Sequence, residues 1–293
     1  MGRAGFARSR LAPRLGERFA RPRLDRSPVA PAAAGSPCAL VTGAARGIGR
    51  ELALQLARAR PVLAVDALEA DFPAPTRFLR ADVATVAGRS AVLEAVRAAA
   101  GIEVCIHNAG VNRFGRFADV PLAVHRRVYE VNLLAPLLLT NSLMREGLLS
   151  RGILGFVSSL SHFVGYPGSA VYGGTKDGLA AAASGLAAAG RWTGLRVVTA
   201  FPGPTRTAQA FENSPDNRLE ARRMPPEVVA MALRRAIERG GRYVIPGWKN
   251  RIAALAGLAF PRLMTRLMKR ALLDRPEARH EHDADLRGGQ TRP

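Results

Sequence analysis

The chain has 293 residues and a mass of 31.3 kDa, with 48% hydrophobic residues and a formal net charge of +20. That suffices for a core in one large domain or two small ones, and no apolar run reaches the roughly 20 residues that cross a bilayer. The charge concentrates at the two ends as arginine with few interleaved aromatics, which argues against specific nucleic-acid binding and leaves a moderately basic body.

Residues 1–36 carry eight arginines against Glu17 and Asp25, with abundant Pro and Ala and no sustained apolar period. They read as a flexible basic extension. The Arg-rich, acid-poor start is like an organelle transit peptide, but it lacks an amphipathic pattern and the apolar core of a secretory signal. Cys38 and Cys105 each adjoin a strand-like apolar stretch and read as free thiols in a reducing, cytoplasmic setting.

Cys38 to Thr42 reads as the first strand and Ile48 to Ala57 as the first helix. The linking segment places Gly43, Gly47 and Gly49 around Arg46 and Ile48. Glycines there let the backbone turn sharply and approach a pyrophosphate, whose charge a helix N-terminus favours. The Gly-x-x-x-Gly-x-Gly spacing differs from Gly-x-Gly-x-x-Gly, so position between strand and helix carries this reading. Asp66 ends the second strand, Pro61 to Val65, 23 positions after Gly43. A carboxylate roughly 20 residues past the loop accepts hydrogen bonds from an adenosine ribose and disfavours a 2′-phosphate, which points to NAD(H). Arg46 can instead pair with a 2′-phosphate, which leaves NADP(H) open.

Further strands are expected at Arg77 to Val83, Glu103 to His107, Ile153 to Ser158, Leu195 to Phe201 and Arg242 to Ile245. Helices are expected at Ser90 to Ala99, Leu122 to Glu130, Leu133 to Glu146, about Ala170 through Ala189, and Pro226 to Arg239. Strands alternating with helices, several apolar on both faces, predict an α/β fold: a doubly wound parallel sheet of about seven strands with helices on both sides.

Ser159, Tyr172 and Lys176 share one short segment, with Ser159 thirteen positions before Tyr172 and Lys176 one turn after it. A phenol ionises near pH 10, and an ammonium at i+4 is expected to lower that value so that Tyr172 trades protons with a substrate oxygen.

With these residues in order, the chain resembles the classical short-chain dehydrogenase/reductase family from about Ala39 to Ile245. The resemblance adds Asp82 and Val83 as an adenine-contact pair, and His107, Asn108, Ala109 and Gly110 as a turn in which His107 replaces the usual asparagine. Asn132, in Val131-Asn132-Leu133, matches the family's active-site asparagine. Pro202, Gly203, Thr205 and Thr207 fall in a nicotinamide-side loop. It implies hydride transfer between NAD(P) and a secondary alcohol or ketone, with Tyr172 moving the proton, Lys176 holding the nicotinamide ribose, Ser159 bonding the substrate oxygen and Asn132 holding a relay water. A homodimer or homotetramer built on the Leu133 and Ala170 helices is the implied assembly. His107 is expected to end its strand beside the cofactor, and the short stretch between Asp66 and Arg77 leaves little room for a helix. The competing reading is a non-catalytic dinucleotide sensor or scaffold, which needs no such catalytic set. His162 reads as a pocket or surface histidine. His280, His282 and Asp283 read as part of a charged end, and no metal is assigned.

The sequence divides into an extension (1–36), the main domain (37–246), a basic amphipathic segment (247–273) and a disordered tail (274–293). Trp248 to Leu273 sets Ile252, Leu255, Leu258, Leu263, Leu267 and Leu272 against Arg251, Arg262, Arg266, Lys269 and Arg270, with Pro261 dividing two short helices. Such a segment lies on an anionic membrane, or packs over the active-site mouth or against another subunit with its charges in water, and a place at the membrane or the mouth suits an apolar substrate.

Overall fold

The computed structural model describes residues 38–149, 151–214, 217–218 and 220–274. The expected extension at 1–36 and the tail beyond Asp274 lie outside these residues.

Seven parallel strands form one sheet: β1 (Cys38–Thr42), β2 (Val62–Asp66), β3 (Thr76–Arg80), β4 (Ile102–His107), β5 (Gly152–Val157), β6 (Leu195–Ala200) and β7 (Tyr243–Val244). Their spatial order is β3-β2-β1-β4-β5-β6-β7, so the winding reverses between β1 and β4. In open sheets of this kind a ligand crevice forms beyond the carboxyl ends at the reversal point. The glycine loop follows β1 and the His107–Gly110 turn follows β4, which places both at that crevice.

The central strands are buried on both faces because helices cover both sides. Successive residues of a strand point to opposite faces. Leu40, Cys105, Leu154 and Phe156 therefore join α2 (Val86–Ala98), α4 (Ala135–Arg145) and α6 (Ala170–Thr193) in one core layer. Val41, Val104, Ile106 and Val198 join α1 (Gly47–Leu56) and α8 (Pro226–Arg239) in the other. Thr85 caps α2 by accepting from the Gly88 N–H at 2.9 Å, and Gly194 ends α6 in the left-handed region with φ 72°.

Between β2 and β3 the chain forms no helix, as the short spacing predicts. Helix α3 (Leu122–Tyr129) runs into a π-helical turn at Glu130–Leu134 before α4 begins. Among the described residues, the periodic sequence reading misses four elements: that π turn, the one-turn α5 (Ser161–Val164), α7 (Ala208–Glu212) and a 3-10 turn at Glu220–Arg222. After β7, α9 (Trp248–Ala259) and α10 (Pro261–Leu272) divide at Pro261 as expected. They pack on α5 through a small core of Leu160, Val164 and Ala254, joined by Phe163, Met264 and Met268. Gly257 meets α5 so closely that a Cβ there would collide with the Phe163 carbonyl.

Candidate active site

The glycine loop is held from three directions. Gly43 sits at φ 66°, and a Cβ on it would lie 2.6 Å from the Ala109 Cα, so only glycine lets the loop and the β4 turn touch. Asn108 donates through Nδ2 to the Thr42 and Gly43 carbonyls at 3.1 and 2.8 Å. The Thr42 hydroxyl accepts from the Asn108 and Ala109 N–H groups, each at 3.2 Å. Asp66 adds the third brace: Oδ2 accepts from the Ala45 N–H at 2.9 Å and Oδ1 from the Leu68 N–H at 3.0 Å.

Arg46 occupies the N-cap position of α1 without a side-chain cap hydrogen bond, and the first turn, which includes Gly47, Ile48 and Gly49, contains no acid. Here α1 differs from α2 and α7, whose termini Thr85 and Thr207 cap. The first-turn N–H groups of α1 are thus open to an external anion, on a backbone stripped of side chains by glycine. These features fit a dinucleotide pyrophosphate. The Arg46 guanidinium meets the Glu212 carboxylate at 3.0 Å, and both side chains are about half exposed.

Asp82 is anchored by Arg127 at 2.7 Å and by the Ala84 N–H at 3.0 Å, while Val83 is buried. His107 departs from the expected position. It points away from the crevice into the core, stacked on Phe156 with ring centroids 5.3 Å apart and hydrogen-bonded to the Thr140 hydroxyl at 2.8 Å. Burial pushes its imidazole down to about 3, so it is neutral.

The π turn carries Asn132, which is fully buried. Its Oδ1 accepts from the Val111 N–H at 2.8 Å, and its Nδ2 donates to the Val111 carbonyl at 2.9 Å and to the Thr175 hydroxyl at 3.2 Å. Thr175 in turn donates to the Tyr172 carbonyl at 2.8 Å. One asparagine thus ties the strand-β4 turn to the helix that carries Tyr172 and Lys176. A Cβ on Gly110 would stand 3.2 Å from Lys176 Nζ and 3.4 Å from Asn132 Oδ1, which puts all three residues around one point.

Ser159 follows β5, and its hydroxyl favours the ionised form of the Tyr172 phenol, partly opposing the effect of burial. Its hydroxyl also accepts from the Ser161 N–H at 3.2 Å. The neighbouring Ser158 is spoken for, donating to the Lys176 carbonyl at 2.9 Å. Lys176 is buried, and its ammonium donates to the Val157 carbonyl at 2.8 Å. The expectation that Lys176 lowers the phenol pKa is not met in the protein alone. Burial pushes Tyr172 up to about 12, partly offset by the Ser159 hydroxyl and reinforced by Tyr166, while burial pulls Lys176 down to about 8. Desolvation outweighs the i+4 relationship because each charged form loses water and the ammonium is directed at a carbonyl.

Tyr172 lines a cleft of about 270 Å³ with Arg113, Phe117, Val120, Val128 and Leu273 among its walls. On the other side, the loop after β6 places the Pro202 carbonyl as acceptor for the Leu160 N–H at 2.8 Å, and the Thr205 hydroxyl donates to the Gly203 carbonyl at 2.9 Å. The Thr207 methyl lies against Gly47 and its hydroxyl caps α7. His162 sits on α5, paired with Asp177 at 3.0 Å and stacked on Phe201, rather than among the cleft walls. Four supporting residues escape sequence reasoning: Thr42, Thr175, Asn250, whose side chain abuts Gly203, and Leu273. Their roles depend on contacts between distant segments, and no local spacing announces them.

A family model described as short chain dehydrogenase matches residues 37–218. The chain belongs to that family, and with it to the oxidoreductases. It is 33% identical over 162 residues to an uncharacterized oxidoreductase of Methylorubrum extorquens, covering 51% of this chain and 65% of that protein. Among solved structures, a short chain dehydrogenase from Burkholderia cenocepacia in complex with NADP aligns with TM-score 0.66 at 22% identity, covering 80% of this chain and 97% of that one. A 3-ketoacyl-(acyl-carrier-protein) reductase from Brucella melitensis complexed with NADH aligns with TM-score 0.63 at 20% identity, covering 72% and 96%.

Proposed function

We propose that the protein is an NAD(P)-dependent oxidoreductase that interconverts a secondary alcohol and a ketone on an apolar substrate. The observation that carries this reading is that Tyr172 lines a largely apolar cleft while Lys176, one helical turn on, is buried and meets Asn132 around Gly110. The first turn of α1 and the glycine backbone would hold the pyrophosphate, Asp66 the adenosine ribose, Asp82 and Val83 the adenine side, and the 202–207 loop with Lys176 the nicotinamide side. When bound, the nicotinamide supplies or accepts the hydride.

The chain's own residues handle the oxygen and its proton. In reduction, Tyr172 donates its phenolic proton to the carbonyl oxygen as the carbon gains the hydride, and in oxidation it takes that proton back. Ser159 steadies the developing charge on the same oxygen by donating its hydroxyl hydrogen. Lys176, whose pKa of about 8 allows either protonation state near neutrality, supplies positive charge next to Tyr172 when protonated. Asn132 holds the Thr175 hydroxyl and the Val111 backbone around it, and a water held there would lead protons from Lys176 to solvent.

Asp66 favours NAD(H), and Arg46 is the residue through which NADP(H) would be accepted once released from Glu212. Exposed Leu134 and Leu138, beside the groove between α4 and α6, support a homodimer or homotetramer through those helices. Cytoplasmic residence fits the two buried free cysteines.

The test is a panel of ketones and secondary alcohols of increasing apolar size, followed through reduced-cofactor absorbance with NAD(H) and NADP(H) in parallel. Turnover that rises with apolar size supports the reading. Cofactor binding without turnover of any member assigns the protein instead to the sensor or scaffold class.

A further inference from the structure

The outer faces of α9 and α10 are apolar where packing does not require it. Trp248, Ile252 and Leu255 of α9 are 66%, 57% and 49% exposed, and Phe260, Leu263 and Leu267 along α10 are 62%, 53% and 46% exposed. Positions 248, 252 and 255, like 263 and 267, recur at helical spacing, so each set forms a stripe on one side of its helix. The inward sides are already used: Ala254 and Gly257 pack on α5, and Met264 and Met268 join the same small core. Packing over the active site and presenting an apolar outer stripe are therefore both properties of this segment.

The charge beside that stripe has one sign. Residues 247–273 contain Lys249, Arg251, Arg262, Arg266, Lys269 and Arg270 and no Asp or Glu. Arg262, Arg266 and Arg270 recur every fourth residue and run alongside Leu263 and Leu267. Among the described residues these three make no ion pair, whereas Lys269 reaches Asp274 at 3.8 Å.

The charge also decides between occupants. A second copy laid on this face would bring the same cations against themselves, at a like-charge cost. Residues 275–293 offer Leu286 as their only large apolar side chain, and residues 1–36 bring eight arginines. An anionic bilayer satisfies both halves of the surface, acyl chains for the leucines and aromatics and phosphates for the arginines.

We propose that the outer face of α9 and α10 docks the protein on an anionic membrane surface. Leu273, at the end of α10, lines the same cleft as Tyr172, so docking sets the cleft mouth at the lipid boundary. This deepens the oxidoreductase reading, and rests on it, in one respect: it makes the bilayer the source of the apolar substrate.

The experiment is sedimentation of the full chain with phosphatidylcholine vesicles, with and without phosphatidylglycerol, at low and high salt. The expected result is binding to the anionic vesicles, released by salt and weak on neutral ones. Leu263→Asp with Leu267→Asp, and separately Arg262→Glu with Arg266→Glu, should each weaken it about tenfold or more. Exposed positions were chosen so that both variants fold, which their melting curves check. Wild-type binding that is absent, or that survives in both variants because the N-terminal arginines supply it, overturns the proposal. So does a change of oligomeric state, by light scattering, in the leucine variant without loss of vesicle binding. Turnover of a water-soluble ketone keeps the two readings apart: vesicle binding that meets these expectations without any turnover supports the docking surface and removes the oxidoreductase assignment.

Discussion

Lys176 donates its ammonium to the Val157 carbonyl at 2.8 Å while lying 5.8 Å from the centroid of the Tyr172 ring. The two titrating groups therefore share a buried site without a direct hydrogen bond between them, and burial moves both toward neutrality. Their effects on stability run in opposite directions. The Lys176 pKa falls from 10.5 to about 8, so from pH 8 to 10.5 the unfolded chain holds more protons and stability rises with pH. The Tyr172 pKa rises from 10 to about 12, so from pH 10 to 12 the folded chain holds more protons and stability falls. Urea unfolding across this range should show the rise flattened in Lys176→Met and the fall flattened in Tyr172→Phe.

Tyr172→Phe removes one oxygen from the cleft wall and leaves the glycine loop untouched. Turnover should drop by about a thousandfold, within the range of general acid–base catalysis. NADH affinity by fluorescence titration should change less than about threefold, since one wall hydroxyl is not a phosphate or ribose contact. Near wild-type turnover would remove Tyr172 as the proton carrier.

In the proposed reading, cofactor preference rests on Asp66 and Arg46, side chains that already have partners. Asp66→Ala frees the Ala45 and Leu68 N–H groups as well as the ribose site, so KM should rise for both cofactors, and more for NAD(H). Glu212→Ala releases Arg46 from an exposed ion pair of the kind worth about 0–1 kcal/mol. It should lower KM for NADP(H) by a few-fold while leaving NAD(H) unchanged. Paired steady-state assays decide both, and an unmoved ratio in each variant would contradict the assignment.

His107→Asn exchanges a buried neutral imidazole for a smaller amide. Loss of ring packing on Phe156 and of the Thr140 hydrogen bond should cost about 1–3 kcal/mol at neutral pH. The acid limb should change the other way. With a folded pKa of about 3 against 6.5, the unfolded chain protonates first, and wild-type stability is lost as pH falls from 6.5 toward 3. Urea unfolding at pH 7 and pH 5 should show a smaller loss in the variant.

What the sequence disclosed is what local chemistry encodes. Strand, glycine turn and helix follow one another at β1 and α1, and the offset from Ser159 to Tyr172 singles out one serine of three because neighbouring residues of the run point in different directions. The direction of Lys176 depended on a carbonyl 19 residues away, which spacing does not carry. His107 was misplaced although the alternation along β4 held the answer, since it shares parity with Cys105 and so points into the same core layer. The π turn under Asn132 and the short helices α5 and α7 fell below the length at which periodicity speaks.

Gly257 sets a limit on how this molecule can be re-engineered. Because α9 rests backbone to backbone on the helix that begins two residues after Ser159, any side chain added at Gly257 displaces that helix. Leu263 and Leu267 of α10, by contrast, are about half exposed. A substitution at Gly257 therefore reaches the segment that carries Ser159 through backbone contact alone, without touching any side chain of the site.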